Sequence, residues 1–146
     1  MKEKTNAQLA FDETIKAIYD LLKPIEFKKK GNSFYRIENT ICQLINIQKS
    51  IYNNSQSVTF TANICVKYLE TDENIPSVTH FPIRERIGNL KESGDFWYTF
   101  DEIQDIFIRK QKYQSEKELI LEDIKKYILT FLNKFKNKED IENFYD

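Results

Sequence analysis

Residues 57–69 alternate with a period of two: Val58, Phe60, Ala62, Ile64, Val66 and Tyr68 are separated by Thr59, Thr61, Asn63, Cys65 and Lys67. Successive side chains of an extended chain point to opposite sides. The pattern therefore demands a strand with one face in a core and the other wet or only partly covered. Each large apolar side chain fully buried on that face is worth about 1.5–3 kcal/mol. Such a strand needs neighbours along its edges and a second layer over its oily face.

The preceding segment supplies the neighbours. Phe27 to Lys30 runs through Gly31-Asn32 into Ser33 to Ile37, and Gly-Asn between extended runs is a two-residue hairpin signal. Glu38-Asn39 reads as a second short turn, leading into an extended run from Thr40 to Lys49, and Asn53-Asn54-Ser55 turns the chain again. Links this short force antiparallel pairing. Downstream, Glu70 to Ser77 reads as an acidic, proline-bearing loop and His80 to Gly88 as extended, with Gly88 and Gly94 bracketing a turn. Phe96 to Phe100 is a short aromatic strand, and Asp101 to Tyr113 fits helix or strand equally.

Helical periodicity brackets these strands. Phe11, Ile15, Ile18, Leu22 and Ile25 form one apolar stripe, capped by Thr5 or Asn6 and ended by Pro24. Ile120, Ile124, Tyr127, Phe131 and Phe135 form a second stripe, flanked by Ile128 and Leu132, and Ser115 with Glu118 reads as its capping box. The charged tail 137–146 is expected to fray, with Phe144 and Tyr145 able to pin it. The expected fold is therefore a single α+β domain over 1–146. It has two layers, a mostly antiparallel sheet of four to six strands with an N-terminal and a C-terminal helix packed on one face. The opposite face is the natural place for function.

Composition narrows the function. With 22 Lys+Arg against 23 Asp+Glu, the net charge is −1, which removes the electrostatic attraction that proteins coating nucleic acid rely on. No apolar run approaches the roughly 20 residues that span a bilayer, and the charged start lacks a signal-peptide core, so a cytoplasmic, membrane-free protein is expected. Abundant Lys, Asn and Ile with few Arg read as AT-rich coding and a low-GC bacterial host. Cys42 and Cys65 are too few for a disulfide scaffold, and the chain has no CxxC spacing.

Several segments are similar to a known family. Leu21 to Arg36, Ile45 to Ser50, Phe60 to Ile64, and Arg84 to Gly88 followed by Asp95-Phe96-Trp97 resemble, in type and order, the bacterial domain-of-unknown-function family numbered 4304. The resemblance covers Leu9 to Phe100 and is loose in the C-terminal third. Trp97-Tyr98 stands where the family often has two adjacent tryptophans. It implies a fold and a bacterial setting and brings no reaction, cofactor or catalytic residue.

Chemistry-bearing residues are sparse. His80 is the sole histidine and could in principle join Cys42 or Cys65 in a nucleophilic site, but both cysteines sit in strand patterns, where a thiol is usually a small buried hydrophobe. No metal or cofactor is expected. Lys28-Lys29-Lys30 alternates across a strand and makes no single patch; it reads as a guarded sheet edge. Arg84 and Arg86 share one face if their segment is extended, and their guanidinium forks suit a carboxylate or phosphate. Gln48, Asn46 and Asn63 add polar groups on neighbouring strands, and Trp97 adds an amphipathic platform. The plainer alternative pairs the arginines with Glu85 or Asp95 to fix strand register.

The expected ligand- or partner-binding set is thus Gln48, Arg84, Arg86, Asp95 and Trp97, with no catalytic residue. The expected function is a non-catalytic interaction module that meets a protein partner, a toxin-neutralising, immunity-like role being one concrete version. The rival is a small enzyme or ligand-binding protein that grips an anionic small molecule in an arginine-lined pocket, with Asp95 or Glu85 as acid or base. A pocket of about 300 Å³ or more would favour the rival, and a shallow polar-aromatic patch the partner.

Overall fold

A computed structural model describes residues 3–54, 56–70 and 73–144. Helix α1 (Asn6–Leu22) starts at Thr5, whose side chain accepts from the backbone of Gln8 while the Gln8 side chain accepts from the backbone of Thr5. This reciprocal capping satisfies two orphan donors. Ala7, Phe11, Ile15, Ile18 and Leu22 are buried along one face. A 3₁₀ turn over Lys23–Ile25 follows, and Glu26 at φ 75° reverses the chain. Ile25, counted in the sequence stripe, lies beyond the helix and is exposed.

The six strands are β1 (Lys28–Lys30), β2 (Ser33–Glu38), β3 (Ile41–Lys49), β4 (Ser57–Tyr68), β5 (Ile83–Arg86) and β6 (Tyr98–Asp101), all paired antiparallel. Gly31 at φ 62° opens the tight link between the paired residues Lys30 and Ser33. Asn39 and Thr40, at φ 52° and 63°, close the next link between Glu38 and Ile41. Positive φ at both central positions defines the hairpin turn whose twist matches the strands. The strands follow in the order β1-β2-β3-β4-β5, and β4 carries two partners on its outer edge. Residues Ser57–Phe60 pair with β6 and Asn63–Val66 with β5.

Register assigns the faces. Ile45 lies opposite Ile64, and Phe60 opposite Tyr98, which puts Val58, Phe60, Ala62, Ile64 and Val66 under the helices. Phe60 is the hub, with the rings of Phe11, Tyr98 and Phe100 at 5.1, 5.3 and 5.7 Å. These aromatic contacts add to the area they bury.

The C-terminal helix begins earlier than its stripe suggests. Helix α3 spans Ile106–Asp123, capped by Asp105, whose carboxylate accepts from the amides of Phe107 and Ile108. Ser115 lies mid-helix, so the Ser115–Glu118 capping box does not form the start. Of the two readings open for Asp101 to Tyr113, the helical one holds from Ile106; the sequence leaves the choice open because Ile106, Phe107 and Ile108 are consecutive and exposed, giving no one-sided stripe. Helix α2 is the single turn Ile87–Leu90. After α3 a π turn (Ile124–Ile128) leads into α4 (Leu129–Leu132). The inward residues Ile120, Ile124, Ile128 and Leu132 recur every four positions, which drifts off a 3.6-residue helix. The wider π turn absorbs that drift and keeps all four inward. The tail forms helix α5 (Lys138–Glu142), and the Phe144 ring sits 5.7 and 5.5 Å from those of Phe131 and Phe135. Tyr145 lies outside the described residues.

The opposite face is not uniformly open. Leu69 and Phe81, with Ile75 and Val78, pack over Cys42, Leu44 and Cys65 as a second, smaller core. Within the segment expected to be a loop, from Glu70 to Ser77, the described residues are indeed irregular, and Ile75 packs on this second core, so only the other half of that face is left for function. His80 falls in a 3₁₀ turn (Val78–His80), so the extended run starts at Ile83 and not at His80.

Candidate functional site

The uncovered half of the far face is polar. Asn46 and Gln48 project from β3, Thr59 and Asn63 from β4, and Arg86 from the end of β5, opposite Asn63. The side chains are linked: Asn46 Nδ2 donates to Ser33 Oγ at 2.9 Å, and Asn63 Nδ2 donates to Gln48 Oε1 at 2.9 Å and to Asn46 Oδ1 at 3.1 Å. Arg86 Nη2 reaches Gln48 Oε1 at 3.5 Å. Its other arm lies 3.5 Å from Asp95 Oδ1, and its guanidinium is 5.5 Å from the centre of the Trp97 ring. Trp97 Nε1 donates to Asp95 Oδ2 at 2.9 Å.

Asp95 and Trp97 are delivered by the segment between α2 and β6. Gly88 lets that segment close tightly, since a Cβ there would sit 1.8 Å from the carbonyl oxygen of Gly94. Gly94 itself takes φ 75°. On the site face, Thr61 Oγ1 holds the Phe96 carbonyl at 2.8 Å. Beneath, Lys91 Nζ lies 2.8 Å from Asp123, which also accepts from the Tyr98 hydroxyl at 2.6 Å. Burial and the Asp123 carboxylate push Tyr98 well above the usual phenol range, so it acts as a permanent donor.

Gln48, Arg86, Asp95 and Trp97 thus meet in one place, together with Ser50, Ile51, Tyr52 and Thr59, around an open depression of about 510 Å³. Ile51 and Tyr52, on the β3–β4 turn, are 86% and 84% exposed and form its apolar rim. Sequence reasoning passed over this pair. Its signal was an apolar dipeptide placed in a turn, next to Asn53-Asn54, where strand pairing cannot bury it. Arg84 does not join them. It lies opposite Cys65, and its Nη1 reaches the Thr79 carbonyl at 3.3 Å, on the covered half of the face.

Burial opposes ionisation of both thiols. Burial pushes Cys42 up to about 11 and Cys65 up to about 12, and both lie beneath Leu69 and Phe81. A nucleophile needs the thiolate, which such an environment opposes. The His80 Nδ1 faces Ser77 Oγ at 3.0 Å on the exposed side of the covering segment. Among the described residues, no group of three or more His, Cys, Asp or Glu could hold a metal ion, and no helix is long and apolar enough to cross a membrane. Arg36 is held more closely than Arg86: Nε and Nη2 lie 3.2 and 2.7 Å from Gln43 Oε1, and Nη1 lies 3.1 Å from the Ile25 carbonyl. Gln43 in turn donates to the Leu132 carbonyl at 2.8 Å, tying the end of α4 to the sheet.

No curated protein and no solved structure matches the chain. A family model does match, over residues 18–134; it starts later than the resemblance seen in the sequence, which ran from Leu9 to Phe100, and extends past it to take in α3 and α4. The chain therefore belongs to the family described as "Domain of unknown function (DUF4304)".

Proposed function

We propose that this protein is a non-catalytic interaction module of the bacterial cytoplasm. It presents the uncovered half of its sheet, centred on Arg86 and Trp97, to a protein partner; a toxin held by an immunity protein is one pairing of this kind. The observation that carries this reading is the grouping of Trp97, Arg86, Tyr52 and Ile51 around one open depression. Tryptophan, tyrosine and arginine supply most binding hot spots, because they bring large area with a polar end. The tight packing beneath, through Thr61, Gly88 and Lys91, supports a preorganised surface that loses little entropy on binding.

The depression's volume of about 510 Å³ supports a second reading, a pocket for an anionic small molecule. Against it stands the displacement of Arg84, which leaves the depression lined by Arg86 with Asp95 beside it and no net positive charge from the pair. The rim of exposed Ile51 and Tyr52 suits a broad contact better than enclosure.

A photo-crosslinking residue in place of Tyr52 tests the proposal in cells that naturally carry the chain. The expected result is a discrete protein adduct that disappears when Trp97→Ala is added. Labelling no greater than from Lys16, exposed on α1, would refute it.

A further inference from the structure

We infer that the partner meets this face with an aspartate or glutamate side chain seated on Arg86, beside an apolar or aromatic side chain packed on Trp97, Tyr52 and Ile51. The inference rests on the interaction-module reading and specifies the chemistry of the partner.

Arg86 is presented with its hydrogen-bonding capacity only weakly used. Both of its polar contacts, to Gln48 and to Asp95, are 3.5 Å long, beyond the usual 2.7–3.2 Å. Arg36 in the same sheet shows a more closely held guanidinium, with three contacts of 3.2 Å or less. The Arg86 side chain is 42% exposed and that of Asp95 66%. An ion pair so wet and so long contributes little, about 0–1 kcal/mol, and the shorter contact of Asp95 is the one it accepts from Trp97 Nε1 at 2.9 Å, through its other oxygen. Asp95 thus occupies the place that a better-aligned carboxylate would take; the guanidinium, 5.5 Å from the centre of the Trp97 ring, is a planar fork that matches a carboxylate bidentately.

Charge counting selects a carboxylate over a phosphate. One guanidinium beside one carboxylate sums to zero, so a bound monoanion leaves the group at −1 and a dianion at −2, and the repulsion from Asp95 is twice as large for the dianion. The apolar rim adds the second requirement, since Ile51 and Tyr52 stay in water unless the partner covers them.

A displayed library of random twelve-residue peptides, selected on the immobilised full chain, tests this. Enriched peptides are expected to carry Asp or Glu within two positions of Phe, Tyr, Trp or Leu. Replacing that acid by its amide should weaken binding tenfold or more to the wild-type chain but less than twofold to Arg86→Gln. Asp95→Asn, whose amide oxygen can still accept from Trp97 Nε1, should tighten binding severalfold by removing the competing charge, with an unchanged melting temperature as the check on its fold. Binding is located by the indole N–H resonance of Trp97, the sole tryptophan. Absence of enriched peptides, enrichment without an acid, or an equal loss in wild type and Arg86→Gln would overturn the inference. So would acetate that shifts the indole resonance as strongly as the peptide at equal concentration, or a resonance that moves with protein concentration alone, the mark of a second copy on this face. A Tyr52 crosslink that persists alongside any of these results would sink the carboxylate reading and leave the interaction module standing.

Discussion

Replacing Asp123 by alanine probes how the site is held in place from below. Its carboxylate is 4% exposed and serves two donors through one oxygen, Lys91 Nζ at 2.8 Å and the Tyr98 hydroxyl at 2.6 Å. Removing one member of a buried ion pair typically costs about 3–5 kcal/mol, because the other charge stays buried without compensation. An orphaned buried hydroxyl adds about 1–3 kcal/mol. Two features lower the sum: both contacts share one oxygen, and Lys91, 14% exposed, can redirect its ammonium to water. The expected loss is about 3–5 kcal/mol, a large share of the roughly 5–15 kcal/mol available to a domain. Urea unfolding followed by circular dichroism measures it, and the corresponding fall in Tm is roughly 6–20 °C. Tyr98→Phe alone should cost about 1–2 kcal/mol. The triple change Asp123→Leu, Lys91→Met, Tyr98→Phe should recover most of the loss, since the desolvation penalty leaves with the charges. An Asp123→Ala protein melting within 2 °C of wild type would refute the reasoning.

Two further outcomes follow from the same packing. Gly88→Ala places a Cβ 1.8 Å from the Gly94 carbonyl oxygen, a backbone atom that cannot step aside; a loss of about 3 kcal/mol or more in urea unfolding is expected, with weakened binding at Trp97, and an unchanged midpoint would contradict the close approach. Stability should also fall at alkaline pH: the thiols, lifted from 9.0 to about 11 for Cys42 and about 12 for Cys65, stay protonated in the folded chain while the unfolded chain ionises above pH 9. The contribution is intact below pH 9 and is lost as pH rises toward 11–12, by up to about 1.4 kcal/mol per pH unit for each thiol, and the Cys42→Ala, Cys65→Ala double variant should show a flatter slope between pH 9 and 11.

The sheet was legible because its signals are local. The thirteen-residue alternation and two tight hairpin links leave little freedom in register, and a one-residue slip would turn Ile64 outward. The start of α3 was hidden because no core contacts its first turns: Asp105 caps a helix whose Ile106-Phe107-Ile108 opening faces solvent, so periodicity carried no information. The meeting of Gln48, Arg86, Asp95 and Trp97 was only partly legible. Strand alternation places Arg86 and Gln48 on the far side, but the arrival of Asp95 depends on the Gly88–Gly94 approach, a tertiary contact without a sequence period. Arg84, two residues from Arg86, shares its side of the strand and still lies outside the group, because the segment ahead of β5 offers it the Thr79 carbonyl.

That divergence has a cause visible along β3 and β4 together. On the far side β3 presents Cys42 and Leu44, then Asn46 and Gln48, while β4, running the other way, presents Thr59, Thr61 and Asn63, then Cys65. Antiparallel register sets apolar against apolar, Leu44 opposite Cys65, and amide against amide, Asn46 opposite Asn63. One sheet face is thereby divided in two across its strands. The apolar half has to be covered, and Leu69, Ile75, Val78 and Phe81 do so from within the chain. The amide half has its hydrogen bonds satisfied laterally, from Ser33 through Asn46 and Asn63 to Gln48, and so can remain open without leaving buried polar groups unpaired. An amide ladder needs no partner to be stable, which leaves Arg86, Trp97, Ile51 and Tyr52 at its end as the groups with contact capacity to spare. A partner would gain its affinity at that end and not along the ladder. Asn46→Ala should accordingly disturb stability more than binding, and Trp97→Ala the reverse.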